Sequence, residues 1–329
     1  MNTTIDFALS LDLVNLDHQE PNRNRYESKY YWDELLTLIP AAGFSAIELP
    51  YQPKWDFGGR SGIPFTQYAV ETKYGSVSNF MSRLNDNGIK GIAGIYFNPS
   101  LFISDNLEAY FGAFGHFASQ AIKFAGDAGA PVLTLTPTPC IGLVQFHLSR
   151  NGEWETVRSD FLKRTVELIN RLAAEAATAG VTIALKNEYW SMLRESDFEA
   201  FFKQIDKNVR RNIDTAHVRI TGGDPVDQIK MSAGQIGSIH FTDTAFTDFG
   251  EVWREVSPEF PARQATQIFR DIGQGHVNLR AAYNALQQVD FKGPVICSCR
   301  QTRDPMRAML RTRQQIDRVI TQNEGGAVK

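Results

Sequence analysis

Two stretches of the chain carry the groups best suited to moving protons. Val209 to His217, Val-Arg-Arg-Asn-Ile-Asp-Thr-Ala-His, reads as a short strand ending in Asp-x-x-His. Ile236 to Asp243, Ile-Gly-Ser-Ile-His-Phe-Thr-Asp, reads as a second strand. Side chains alternate along a strand, so Asn212 and Asp214 share one face, and Ser238, His240 and Thr242 share one face of the other. An acid and an imidazole at the C-terminal ends of neighbouring parallel strands converge on one point, as general acid–base chemistry requires. The rest of the chain has to bring those ends together.

Strand-like runs recur at Ile5–Leu11, Ala46–Tyr51, Lys90–Phe97, Pro131–Thr136, Val181–Lys186, Arg210–Asp214, Ile236–Thr242 and Pro294–Cys299. Amphipathic segments of helical period lie between them: Ser28–Ala42, Thr66–Asn87, Leu107–Ala128, Glu155–Ala179, Asp197–Asp206, Pro225–Ala233 and Leu279–Val289. The longest shows the stripe Phe161, Leu162, Val166, Ile169, Leu172, Ala176. Glycine follows several helices, at Gly43, Gly88, Gly129, Gly180 and Gly293, and the next strand begins within a few residues. The strands are mostly apolar rather than alternating, as parallel strands covered on both faces are. Eight such units predict a single-domain α/β fold, a (β/α)8 barrel over residues 1–322 with a flexible tail over 323–329. A doubly wound open sheet is the runner-up, but the first strand is not followed by a Gly-x-Gly-x-x-Gly turn.

Barrel enzymes place their chemistry at the C-terminal strand ends. Those ends carry Asp12 and Asn15; Glu48 and Tyr51; Tyr96 and Asn98; Thr136, Thr138 and Cys140; Lys186 and Glu188; Asp214 and His217; His240 and Asp243; Ser298 and Arg300. Such a set suits a hydroxylated small molecule better than a lipid or a nucleotide. The loops after strands two, four and seven are long and carry Trp55, Phe57, Phe146, Phe249 and Trp253. Aromatics of this kind bound sugar rings, and they also pin long loops.

With 34 basic and 37 acidic residues and a net charge of -3, the chain lacks the basic excess of a nucleic-acid binder. No apolar run approaches a membrane span. Met1 to Phe7 lacks the pattern of a leader, so a cytoplasmic location is expected. The three cysteines, Cys140, Cys297 and Cys299, are too few for a disulfide framework and read as small buried residues. Cys297 and Cys299 point to opposite faces of a regular strand and cannot chelate one metal there.

Asn212-Ile213-Asp214-Thr215-Ala216-His217, then Gly223-Asp224-Pro225, then Ile239-His240-Phe241-Thr242-Asp243 resemble the strand-six to strand-seven signature of the xylose-isomerase-like superfamily. Its members include sugar phosphate isomerases and epimerases, and inosose dehydratases are the most similar branch. Ile272-Gly273-Gln274-Gly275-His276-Val277-Asn278-Leu279 and Asp290-Phe291-Lys292-Gly293-Pro294-Val295-Ile296 resemble its approach to the last helix and strand. Arg303-Asp304-Pro305 followed by Arg311-Thr312-Arg313 resembles the tail of the dehydratase branch. The resemblance covers roughly residues 180–315, with Ala46-Ile47-Glu48-Leu49 supporting it earlier.

The resemblance implies a divalent metal held by Glu, Asp, His and Glu from strands five to eight, acting as a Lewis acid. Asp214 and His240 fall on two of those positions, His217 on a substrate-contacting one and Asp243 on the acid after the histidine. The chain departs at the other two: Lys186 and Ser298 stand where glutamates are expected, and Arg300 where the dehydratases carry an acid. Losing two carboxylates and gaining two cations predicts loss of the metal. The alternative is one Mn, Mg, Co or Zn ion held by Glu188, Asp214 and His240.

The leading expectation is an isomerase, epimerase or lyase-type enzyme for a keto sugar, cyclitol or polyhydroxy acid. Lys186 would stabilise an enolate-like intermediate, or serve as a base or Schiff-base amine if desolvation lowered its pKa. Glu188 and His217 would transfer protons, with Asp214 and His240 orienting them. Glu48, Trp55, Tyr96, Asp243, Ser298 and Arg300 are the expected substrate-binding residues. Two plainer outcomes compete: Lys186 paired with Asp214 in an abandoned site, and Arg300 paired with Glu48 or Asp243. A non-catalytic relative that binds a sugar-like ligand or a partner subunit is the alternative function. Homo-oligomers are common in the family.

Overall fold

In the computed structural model, residues 6–14, 16, 28–56, 62–149, 152–194, 196–260 and 267–321 are described. Asn15, Phe57 and the tail expected over 323–329 lie outside them. Eight parallel strands close a barrel in sequence order: β1 (Phe7–Ser10), β2 (Ala46–Tyr51), β3 (Gly91–Phe97), β4 (Val132–Leu135), β5 (Thr182–Lys186), β6 (Arg210–Asp214), β7 (Ile236–Phe241) and β8 (Val295–Cys297). β1 pairs with both β2 and β8, which closes the ring.

Along each strand, alternate residues turn outward against the helices. Leu9, Ile47, Leu49, Ile95, Leu133, Leu135, Ile183, Leu185, Ile239 and Val295 are buried there in one continuous core. The helices meet them with α1 (Lys29–Ala41), α2 (Gln67–Tyr74), α3 (Val77–Asp86), α4 (Leu107–Asp127) and α6 (Trp154–Thr178). In α6 the buried stripe runs Phe161, Thr165, Leu168, Ile169, Leu172, Ala176, shifted from the expected one because Leu162 and Val166 lie at its edge, half-buried. The inward residues are a different chemistry. Ser10, Glu48, Thr134, Lys186, Asn212, Asp214, Ser238 and His240 fill the barrel with polar groups, all buried.

The helical segment expected over 66–87 is two helices. Gly75, at φ +84°, ends α2, and Ser76 caps α3 by accepting the Asn79 amide at 3.0 Å. Gly43, Gly88, Gly129 and Gly180 adopt the positive φ expected after their helices, but Gly293 does not. Asp290, at φ +53°, takes that role after α10 (Leu279–Gln288). Gly293 instead allows close packing, since a Cβ there would lie 2.8 Å from the Gly237 carbonyl oxygen.

Three further helices follow β4, β5 and β6. α5 (Ile141–Leu148) lies within the loop after β4, and α7 (Ser196–Phe202) follows β5. α8 (Thr215–Ile220) begins immediately after β6, so His217 is on a helix rather than on the strand that the Asp-x-x-His pattern suggested. α9 (Pro225–Met231) and α11 (Pro305–Gln315) cover the outside. No helix among the described residues is long and apolar enough to cross a membrane. All three cysteines are buried and free.

Candidate active site

Asp214 is the hinge between β6 and the site. Its Oδ1 caps α8, accepting the backbone N–H of Ala216 at 3.2 Å and of His217 at 3.3 Å, and it also accepts the Thr242 hydroxyl. An N-cap carboxylate is favoured because the first helical amides have no partner within the helix. That capping holds the side chain in the barrel mouth, where Oδ2 lies 2.8 Å from the Lys186 ammonium. Burial opposes the negative charge of Asp214, but Lys186, His217 and His240 bring its pKa well below the usual carboxylate range. Burial likewise opposes the charge of Lys186, yet Asp214, Tyr96 and Glu188 hold its pKa above the ordinary lysine value. Lys186 is therefore a fixed ammonium, which favours electrostatic work over the base or Schiff-base roles, both of which need the amine lone pair. The Tyr96 ring covers it, with Nζ 4.9 Å from the centroid.

Glu188 lies beside this pair, beyond the end of β5. Its Oε1 accepts the Tyr96 hydroxyl at 2.9 Å, and its Oε2 accepts Trp190 Nε1 at 2.7 Å and Asn98 Nδ2 at 3.4 Å. Burial and the Glu188 charge push the Tyr96 phenol up to about 12, so it stays a proton donor.

His217 is enclosed by aromatic rings: Trp190 at 5.0 Å, Phe269 at 5.2 Å and Tyr189 at 5.9 Å between centroids. These belong to a second apolar cluster, with Phe246, Val252 and Ile268, built from the loops after β5 and β7. Burial lowers the His217 pKa to about 4, with Lys186 and Arg300 acting in the same direction and Asp214 and Glu188 against. Its Nδ1 accepts the Tyr189 backbone N–H at 3.1 Å, so the single proton of the neutral ring is on Nε2, 4.0 Å from Asp214 Oδ2. In this arrangement His217 donates and does not accept.

His240 is tied down on both nitrogens. Asn212 Nδ2 lies 2.8 Å from Nδ1 and 2.8 Å from Ser238 Oγ, while Nε2 meets both Glu48 oxygens at 3.0 Å. As the amide donates to Nδ1, the imidazole proton is on Nε2 and is given to Glu48. Glu48 also accepts the Ser10 hydroxyl at 2.7 Å and is fully buried, so it braces His240 below the site and is absent from the cleft lining.

Asp243 and Trp55 are engaged by partners of their own, and the expected pairing of Arg300 is corrected. Asp243 accepts the backbone N–H of Thr244, Gly273, Gly275 and Val277 at 2.8–3.1 Å, and so holds the glycine-rich 272–277 turn. Trp55 is absent from the cleft lining and donates to Gln52 Oε1 at 2.8 Å. Arg300 pairs with neither Glu48 nor Asp243 but with Glu259, whose Oε1 accepts its Nε at 2.6 Å. Of the loop aromatics, Phe146 and Phe249 are exposed. The rings beside the candidate groups are instead Tyr189 and Trp190, whose place directly after Glu188 was the overlooked signal.

A pocket of about 480 Å³ is lined by Glu188, Asp214 and His217, and a separate cleft of about 160 Å³ opens at the ends of β1, β2, β3 and β8. Asp12, Tyr96, Asn98 and Arg300 are among its lining residues. Ser298 faces Asp12, its hydroxyl donating to Oδ2 at 2.6 Å.

The residues at the strand ends do not fit a divalent metal. Asp214 Oδ2 faces an ammonium, both nitrogens of His240 are engaged, and both oxygens of Glu188 accept hydrogen bonds. Among the described residues, no three His, Cys, Asp or Glu side chains are grouped to share an ion, and Glu188, Asp214 and His240 each have other partners.

The family model described as a xylose isomerase-like TIM barrel matches residues 36–318. No curated protein sequence matches the chain significantly. Among solved structures, an L-ribulose 3-epimerase is similar at TM-score 0.63 and 16% identity, covering 98% of this chain and 100% of its own. A probable 3-DHS dehydratase, AsbF, from Bacillus anthracis is similar at TM-score 0.66 and 14% identity, covering 95% and 99%. An IolI protein with a bound zinc atom is similar at TM-score 0.63 and 14% identity, covering 95% and 97%. At these identities the likeness is one of fold.

Proposed function

This chain belongs to the xylose isomerase-like TIM-barrel family, and from that premise we propose that it is a sugar isomerase or epimerase, or a related lyase. Its substrate is a keto sugar, a cyclitol or a similar polyhydroxylated carbonyl compound, and it works without the family's divalent metal. The observation that carries this reading is the Lys186 ammonium, fixed at the strand ends by Asp214 at 2.8 Å with the Glu188 carboxylate beside it.

Removing a proton from the carbon next to a carbonyl leaves negative charge on the carbonyl oxygen. A preorganised cation in a dry site stabilises that charge. Lys186 supplies it, and the Nε2 proton of His217 supplies a donor to the same oxygen. Glu188, positioned by Tyr96, Trp190 and Asn98, takes the carbon-bound proton and returns it to the substrate. Asp214 positions Lys186, and His240 with Glu48 supports the floor.

The test is solvent exchange. Neutral ketoses are incubated with the chain in deuterated water, and loss of the C–H signal next to the carbonyl is followed by NMR. Exchange is expected with at least one ketose, and Lys186→Met and Glu188→Gln are each expected to slow it by about a hundredfold or more. Exchange at an undiminished rate in both variants overturns the assignment.

A second reading has its own observation. Lys186, Glu188 and His217 are only 4%, 2% and 4% exposed, and the aromatic cluster covers His217. That burial favours a relative that binds a sugar-like ligand without turning it over. Thermal stabilisation by a ketose with no exchange would select this reading.

A further inference from the structure

The cleft carries a buried carboxylate that the chemistry above does not use. Asp12, at the end of β1, lines it and is 8% exposed. Its Oδ2 accepts the Ser298 hydroxyl, but its Oδ1 is buried and receives no hydrogen bond from any described residue. A buried acceptor without a donor is costly, and a ligand hydroxyl would supply the missing proton. The neighbours suit such a ligand: the amides of Gln52 and Asn98, and the rings of Tyr51 and Tyr96. The volume, about 160 Å³, holds on the order of ten waters and so admits a small polyol.

The charges around the cleft set a second condition. Of the charged residues that line it, Asp12 is acidic and Lys54 and Arg300 are cations. Lys186 and Arg300 each already face a carboxylate, Asp214 at 2.8 Å and Glu259 at 2.6 Å. A carboxylate or phosphate set against the Asp12 carboxylate would meet a like charge and bring no proton to Oδ1.

We propose that Asp12 is a specificity-determining residue, which accepts a hydroxyl of a neutral polyol through Oδ1 and keeps carboxylate- and phosphate-bearing analogues out. This narrows the substrate class and rests on the reading of the site as one for polyhydroxylated compounds.

The experiment is calorimetric titration of the full chain at neutral pH with fructose, sorbitol and myo-inositol, and with gluconate and fructose phosphate. At least one neutral compound is expected to bind about tenfold more tightly than either anion. In Asp12→Asn, which keeps an acceptor for Ser298, the neutral compound is expected to lose about tenfold, so that its lead over the anions disappears. The unmodified chain alone can overturn the proposal, if an anion binds as well as the neutral compounds. Unchanged affinities in a folded Asp12→Asn, verified by its thermal midpoint, would also overturn it. In both cases ketose exchange by the unmodified chain would still stand. Binding of none of the five compounds would fell the polyol reading and this inference together.

Discussion

Lys186 and Asp214 form an ion pair of 2.8 Å inside the barrel mouth, with 4% and 2% of their side chains exposed. Two charges removed from water this completely stabilise the fold only as a pair, and loss of one leaves the other buried and uncompensated. Lys186→Met is therefore expected to destabilise the chain by about 3–5 kcal/mol. The double variant Lys186→Met with Asp214→Asn should recover most of that loss, because the amide oxygen still caps α8 and no charge is stranded. Urea unfolding of the single and double variants checks this, and a single variant losing under about 1 kcal/mol would show that the pair is not coupled in this way.

The same groups set the pH range of stability. His217 has its pKa lowered to about 4. The unfolded chain binds the extra proton first, so stability falls as pH drops from about 6.5 to about 4. Asp214, also lowered, contributes stability that is present above its unfolded value of about 3.9 and is lost below it. Lys186, raised, contributes stability that is present below about 10.4 and is lost as pH rises further. A plateau between about pH 6.5 and 10 is expected. Urea midpoints across pH should lose the slope between about 4 and 6.5 in His217→Gln, and a slope retained in that variant would assign it to other groups.

Asp243 should behave as a structural residue. Its carboxylate gathers four backbone amides, three of them from Gly273, Gly275 and Val277. Asp243→Ala strands those donors and is expected to cost on the order of 3 kcal/mol. Gly275→Ala should act similarly, since its Cβ would lie 2.2 Å from Asp243 Oδ1. Hydrogen exchange should speed up at residues 272–277 in both variants. Unchanged protection there would separate Asp243 from the turn.

Elemental analysis tests the metal reading directly. Protein purified without chelators or affinity metal is expected to carry well under one Mn, Mg, Co or Zn ion per chain, because an ammonium faces Asp214 and Glu48 engages His240. A stoichiometric ion that resists dialysis would contradict this and would require Lys186 or Glu188 to rearrange.

The barrel was legible from the chain alone because its signals are local. Parallel strands buried on both faces are mostly apolar, and Gly43, Gly88, Gly129 and Gly180 mark helix ends through their own backbone freedom. The identity of the strand-end residues followed from those boundaries, including the lysine at 186 and the serine at 298. What each side chain does was decided by the tertiary structure. Glu48 meets His240 across 192 positions of chain, and Ser298 meets Asp12 across 286. Asp243 is held by four nearby amides, and burial among Trp190, Tyr189 and Phe269 lowers the pKa of His217. Hydrogen bonds and burial depend on which groups the closed barrel brings within about 3 Å, and spacing along the chain does not contain that information.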